Sequence, residues 1–272
     1  MKKLLFAITI ILLTMPLFSE DMSKEYDNAV SVMDEVLRAR RIVFGNIQYL
    51  DAPLSDLSLA LLSKQELWIL RNTIFARYGY IFQSTILTDV FSEYDWYKPE
   101  YTNVDDFLTE TDKINIDHIK QYENIERDEF LTENPMEGYE EEGWNKTQVV
   151  AAGYDDHFIF HSGDRVEFGF SQMIMKLLSW YEGNYKITKN AIRIEVDKLH
   201  FDFSEVGINT KEYRFWETPD DRIGRKSYIN NLTLEQPLVL YFPFEKPERI
   251  DFHGYDLSKI VVGTTEYYIW NR

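Results

Sequence analysis

The spacing of apolar residues changes near the middle of the chain, and this change limits the possible folds more than any other feature. Before it, apolar residues recur every three to four positions, as at Leu67, Leu70 and Ile74, which is typical of amphipathic helices. After it they alternate with polar residues, as in 192–196 (IRIEV), which indicates half-buried strands. The sequence therefore predicts an α+β protein, a small N-terminal helical domain followed by an all-β sandwich or small barrel.

The two patterns are separated by residues 132–147, which contain Pro, Gly and a run of glutamates without a sustained period. We therefore predict an acidic linker there and a β domain over residues 148–272. Before the linker we predict a helical domain over residues 51–131, preceded by a helical segment over residues 20–50. Ser63 and Glu66 have the spacing of a capping box and predict a helix that begins after Ser63.

The N-terminus has the pattern of an export signal. Lys2 and Lys3 precede an apolar stretch that ends near Met15, and Pro16 and Ser19 follow it. This arrangement predicts a signal peptide over residues 1–19, cleaved near Ser19, with an uncleaved anchor as the alternative. The apolar stretch is too short to span a bilayer comfortably, so we expect no stable membrane span after signal removal.

The amino-acid composition limits the cellular compartment and the classes of partner that we expect for this protein. The 272 residues include no cysteine, which excludes disulfides, thiolate metal sites and thiol catalysis. An exported chain without disulfides fits a bacterial extracytoplasmic protein, either periplasmic or secreted. The net charge of −17 repels polyanions, so no nucleic-acid partner is expected.

The stretch 70–82, LRNTIFARYGYIF, resembles the signature of the YARHG domain family. The similarity covers roughly residues 51–123 and extends to Leu54 and Leu57 before the signature, to 96–99 (WYKP), and to Asn115, Ile119 and Tyr122 after it. The resemblance implies a small bacterial extracytoplasmic module that is appended to envelope proteins and has no established activity. This chain departs from the family pattern at Phe75, where the family has Tyr, and at Tyr78, where it has His.

Two interpretations of this stretch remain open. In the first, the aromatic residues pack, Arg71 or Arg77 pairs with Asp112 or Glu123, and Asn72 and Asn115 join helices through amide hydrogen bonds. In the second, a shallow aromatic groove binds a glycan or a peptide. The candidate ligand-binding residues of this second interpretation are Arg71, Arg77, Tyr78, Tyr80, Trp96, Tyr97 and Tyr101.

Outside this stretch the sequence has few candidates for a metal site or a cofactor site. His157 and His161 share one face of a predicted strand, but residues four apart on a strand are about 13 Å apart, so we predict no metal site. No phosphate loop, zinc-protease helix or dinucleotide fingerprint is present, and no cofactor is predicted.

We therefore expect an exported cell-envelope protein that acts as a non-catalytic binding module for a glycan, a peptide or a protein partner. One alternative is a carrier that holds an apolar molecule in a barrel-like β domain. Another is a hydrolase that uses paired carboxylates, although acids are so abundant that no pair and no catalytic residue can be assigned.

Overall fold

The computed structural model describes residues 36–146, 156–169, 178–202 and 229–271. The predicted signal peptide, the first part of the 20–50 segment and a predicted strand at 213–216 lie outside these ranges. Within the described ranges, no helix is both long enough and apolar enough to cross a membrane.

The N-terminal part is helical, as the sequence predicts. Helix α1 covers residues 36–43 of the described chain, and a 3-10 turn follows at Ile47–Asp51. The later helices are α2 (Asp56–Ala60), α3 (Lys64–Ala76), α4 (Thr85–Ser92) and α5 (Glu110–Glu123), with a second 3-10 turn at Asp105–Phe107 before α5. The predicted capping box is confirmed, because the Ser63 hydroxyl accepts the Glu66 N–H at 3.2 Å and Glu66 accepts the Ser63 N–H at 2.8 Å.

The C-terminal part is a closed antiparallel barrel in which each strand pairs with its neighbours in sequence and β1 pairs with β8. Of the two predicted architectures, the structure therefore has the barrel. Its strands are β1 (Gly143–Asn145), β2 (His157–His161), β3 (Arg165–Gly169), β4 (Leu178–Ile187), β5 (Ala191–Asp202), β6 (Ile229–Phe252), β7 (Tyr255–Val262) and β8 (Thr265–Trp270). Strand β6 is long enough to pair with β5 along its first part and with β7 along its second.

The barrel interior is filled by the inward residues of the alternating pattern. Phe168 of β3 contacts Phe242 of β6 with ring centroids 6.2 Å apart, and Phe158 of β2 contacts Tyr267 of β8 at 4.9 Å. These strands are not neighbours, so the contacts cross the interior. The other inward residues that are buried include Phe160, Val166, Tyr185, Ile192, Ile194, Val196, Leu240, Ile260 and Val262.

The prediction of an acidic linker over residues 132–147 needs a correction. Its last part, Gly143–Asn145, is strand β1 of the barrel, and Met136 and Trp144 are completely buried. Trp144 is buried between the exposed Gly143 and the half-buried Asn145, and a three-residue strand is too short to show a period in the sequence. Met136 and strand β1 are therefore part of the folded structure, and the predicted linker is not a linker over its whole length.

The helices and the barrel share one apolar core. They meet where three parts of the barrel come together, namely the β4–β5 turn, the middle of β6 and the β7–β8 turn. The Phe244 N–H donates to the Asn190 carbonyl at 2.9 Å, and the Gly263 N–H donates to the Pro243 carbonyl at 2.8 Å. The first residue of α2, Asp56, accepts the Thr264 N–H at 3.1 Å and so ties the helices to the β7–β8 turn.

Gly263 permits this close approach, and its replacement by alanine should destabilise the protein. Its φ of 66° is in the left-handed region, and an added Cβ would lie 2.4 Å from Cγ of Asp56. We expect Gly263→Ala to lower the free energy of unfolding by at least about 2 kcal/mol in urea denaturation. Gly254→Ala is the matched control, because Gly254 has a φ of 86° but no atom within 4 Å of an added Cβ. Equal losses in the two variants would contradict the role assigned to the contact with Asp56.

Candidate functional site

A buried carboxylate organises the motif of the helical domain. Asp112, on the first turn of α5, is completely buried, and its Oδ2 accepts from Arg77 Nη2 at 2.9 Å and from the Tyr78 hydroxyl at 2.7 Å. The same oxygen accepts the Thr109 N–H at 2.9 Å, which caps α5. Arg77 also pairs with the exposed Asp51 at 3.1 Å. One carboxylate therefore ties the end of α3 to the beginning of α5.

Both arginines of the motif pair with carboxylates. Arg71 Nε lies 2.8 Å from Glu123 Oε2 at the other end of α5, so the predicted pairing of an arginine with Asp112 or Glu123 is found for both residues. Asn115 also joins segments as expected, since its Oδ1 accepts the Leu54 N–H at 2.8 Å. Asn72 does not, because its amide donates to Trp68 of its own helix at 2.7 Å.

Tyr78, at the position where the family has histidine, is a neutral hydrogen-bonding group. Burial and the hydrogen bond to the Asp112 carboxylate raise its pKa, against the opposing effect of Arg77. A phenol with a raised pKa stays protonated at neutral pH, so it can donate to Asp112 but cannot serve as a general base. Its hydrogen bond to Asp112 links the end of α3 to α5, which is a structural role.

Three of the predicted aromatic residues lie in a second apolar cluster with Phe82 and Phe91 instead of forming an open groove. Tyr97 is only 6% exposed, and its hydroxyl donates to the Tyr80 carbonyl at 2.8 Å. The Trp96 ring stacks on Tyr94 with centroids 5.4 Å apart. Tyr80 is half-buried, with its ring edge-on to Phe82 at 5.0 Å. These side chains are packed against the helices and are not gathered on one surface.

Tyr101 differs from them, because it lies on an exposed apolar patch. Tyr101 is 38% exposed and packs edge-on against Phe107, itself 44% exposed, with ring centroids 5.0 Å apart. The centroid of the Tyr78 ring lies 6.3 Å from that of the Phe107 ring. Ile81, 40% exposed, follows the residue that pairs with Tyr101 in a short backbone bridge. We call Tyr78, Ile81, Tyr101 and Phe107 the aromatic surface.

The backbone beneath the aromatic surface is held in place by hydrogen bonds. The Tyr101 N–H donates to the Gly79 carbonyl at 2.9 Å, and the Ile81 N–H donates to the Tyr101 carbonyl at 2.7 Å. Gly79 has a φ of 78°, and a Cβ there would lie 2.5 Å from the Lys98 carbonyl oxygen, so only glycine fits. Phe107 is fixed by the 3-10 turn, in which its N–H donates to the Val104 carbonyl at 2.9 Å. The backbone segments that carry the exposed rings are therefore fixed by hydrogen bonds.

A second polar cluster lies where the helices meet the barrel, and no sequence pattern predicted it. Asp56 Oδ1 lies 2.8 Å from His118 Nε2 and accepts the Tyr122 hydroxyl at 2.7 Å, while Oδ2 accepts the Thr264 hydroxyl at 3.0 Å. Burial disfavours the charged form of Asp56, but the interactions with His118, Tyr122 and Thr264 outweigh it, and its pKa is lowered. Asp56 therefore carries a negative charge that all its neighbours stabilise.

The histidines of β2 remain on the outer wall of the barrel. Nδ1 of His161 lies 2.7 Å from Glu141 Oε2, and its Nε2 lies 3.9 Å from Glu167 Oε2. Within the part of the chain that the structure describes, no three His, Asp or Glu side chains are placed to hold a metal ion.

Comparison with known proteins agrees with the motif. The family model of the YARHG domain matches residues 42–124, which confirms the resemblance and extends it nine residues towards the N-terminus of the predicted range. The YARHG domain is an extracytoplasmic module. Neither the curated proteins nor the solved structures give a significant match to the chain.

Proposed function

We propose that this protein, which carries a YARHG domain packed on a β-barrel, is an exported, non-catalytic binding module of the bacterial cell envelope. Its partner would be a cell-wall glycan, a peptide or an envelope protein. The aromatic surface would make the contact, and the barrel would hold the helical domain in one conformation. The signal-like N-terminus and the extracytoplasmic character of the YARHG domain support this location.

The exposure of Tyr101 and Phe107 is the observation that carries the proposal. In the same domain the rings of Tyr97 and Phe91 are buried in the core, whereas those of Tyr101 and Phe107 are exposed. Large apolar side chains that cluster on a surface instead of packing are typical of interaction sites. Tyrosine is also enriched among the residues that contribute most to binding at interfaces.

The two alternatives have less support. A carrier needs an empty interior, whereas the described part of the barrel interior is filled by rings that contact each other across it. A carboxylate hydrolase needs two carboxylates that face a substrate site. Among the described residues, the buried Asp112 and the half-buried Asp56 are engaged by donors of the protein itself.

The proposal predicts that truncating the exposed rings weakens binding. The full mature chain would be tested by co-sedimentation with purified cell-wall sacculi and by binding to an array of synthetic peptides of varied composition. We expect retention on at least one of these probes. We expect Tyr101→Ala combined with Phe107→Ala to weaken that retention by at least about 10-fold, since truncation of a hot-spot residue typically costs about 2 kcal/mol or more.

Ile86→Ala is the matched control, because Ile86 is an exposed apolar residue on α4 and is not part of the aromatic surface. It should bind like the unchanged protein. The proposal fails if neither probe retains the protein, or if the double alanine variant is retained as well as the Ile86 control.

A further inference from the structure

We infer that the aromatic surface recognises a cationic peptide segment in which a lysine or arginine lies next to an apolar side chain. This inference rests on the proposed function and selects one of its three partner classes. It is carried by the charges that surround the exposed rings.

The residues around Tyr101 and Phe107 are acidic. Glu100 precedes Tyr101, and Asp105 and Asp106 precede Phe107; all three carboxylates are exposed. Interaction with the Glu100 carboxylate raises the pKa of Tyr101, so that carboxylate lies at the ring's polar edge. The three carboxylates are therefore next to the two exposed rings in the chain and are exposed like them.

These three carboxylates are not neutralised by the protein. The neighbouring acids are, since Glu110 pairs with Lys113 at 2.7 Å and Asp112 pairs with Arg77 at 2.8 Å. Among the described residues, no cation lies within ion-pair distance of Glu100, Asp105 or Asp106. Lys98 is the remaining cation between residues 98 and 113, so the surface keeps a net negative charge.

Lysine and arginine complement such a surface in two ways. Their aliphatic stems cover apolar rings while the charged group reaches the carboxylates at the edge, and the cation itself is attracted to the face of a tyrosine or phenylalanine ring. An apolar neighbour in the peptide would cover Ile81. A neutral glycan would leave the three charges without a partner, and a polyanion would be repelled by them.

The test measures binding of the full mature chain to three probes at low and high salt. The probes are a decapeptide containing lysine next to leucine, the same peptide with glutamate in place of lysine, and an oligosaccharide of N-acetylated amino sugars. We expect the lysine peptide to bind at least about 10-fold more tightly than the other two probes. We expect its affinity to fall at least about 10-fold when NaCl is raised from about 0.05 M to about 0.5 M.

Charge-neutralising variants test whether peptide binding depends on the three carboxylates near the rings or only on the net charge of the protein. The combined change Glu100→Gln, Asp105→Asn and Asp106→Asn should weaken binding of the lysine peptide at least about 10-fold. The control is Asp89→Asn, Glu93→Gln and Asp95→Asn, which removes the same charge from exposed acids at and after α4 and should have little effect.

Two results would overturn the inference: tighter binding of the oligosaccharide than of the lysine peptide, or equal loss of peptide binding in the two charge variants. The proposed function would survive either result if Tyr101→Ala with Phe107→Ala still abolished binding of the preferred probe. If the aromatic variant binds every probe as the unchanged protein does, both the proposed function and the inference fail.

Discussion

Asp112→Ala is expected to lower the free energy of unfolding by about 3–5 kcal/mol, the largest effect of any single substitution considered. The change removes the buried partner of Arg77, which keeps only the exposed Asp51 among the described carboxylates, and leaves the Tyr78 hydroxyl and the Thr109 N–H without an acceptor. It also removes one of the two bonds of the capping box of α5, the one that the Asp112 carboxylate accepts from the Thr109 N–H. Since small domains are stable by only about 5–15 kcal/mol, much of the fold's stability would be lost.

Urea denaturation followed by circular dichroism would measure this effect. Asp117→Ala is the control on the same helix, because Asp117 is exposed and its pair with Lys120 at 3.4 Å lies in solvent, so we expect a change below about 0.5 kcal/mol. Asp112→Asn keeps an acceptor for Thr109 but removes the charge, and its loss should be intermediate. A loss of less than about 1 kcal/mol in the free energy of unfolding for Asp112→Ala would contradict the role of Asp112 in joining α3 to α5.

Asp56→Ala should destabilise the protein by about 3 kcal/mol or more, because it removes the acceptor shared by His118, Tyr122 and Thr264. The loss is expected in both parts of the molecule, since Asp56 belongs to α2 and Thr264 to the β7–β8 turn. Native-state hydrogen exchange would show it as faster exchange in both α5 and the β7–β8 hairpin. Faster exchange confined to the helices would contradict the junction that we describe.

The contribution of Asp56 should also depend on pH. Its pKa is lowered in the folded protein, so it binds a proton less readily there than in the unfolded chain, where the pKa is about 3.9. The resulting stability is fully present above the unfolded pKa and is lost as the pH falls through the lower folded pKa. The difference in stability between the unchanged protein and Asp56→Asn should therefore shrink below about pH 4. A constant difference down to acidic pH would contradict it.

Local features of the helical domain could be predicted from the sequence because they depend on short spacings. The capping box of Ser63 and Glu66 involves residues three apart. For the long-range ion pairs, one of Arg71 and Arg77 was expected to pair with α5, whereas the structure has a pair from each. The barrel was one of two expected architectures, because sandwiches and barrels have the same alternation. Their difference lies in the closure of β1 on β8, which is a long-range contact.

Other features had no local signal. In β7 the sequence 255–262 (YDLSKIVV) places Leu257 and Ser258, both buried, next to each other, so the alternation is broken and the strand was not predicted. The bond between Asp56 and Thr264 joins residues 208 positions apart. For the site, Trp96 and Tyr97 were candidate ligand-binding residues, but in the structure both rings pack in the second apolar cluster. Phe107 was missed, because it follows two aspartates in a stretch without a sustained apolar period.

The most direct test of the proposed function is hydrogen–deuterium exchange of the full mature chain, with and without whichever probe retains it, sacculi or peptide. We expect binding to slow exchange in residues 79–81 and 100–108, whose amides lie beneath the aromatic surface, and to leave residues 85–92 of α4 unchanged. Bound protein that shows no protection in 79–81 and 100–108, or protection in the barrel alone, would contradict the assignment of the aromatic surface as the binding site.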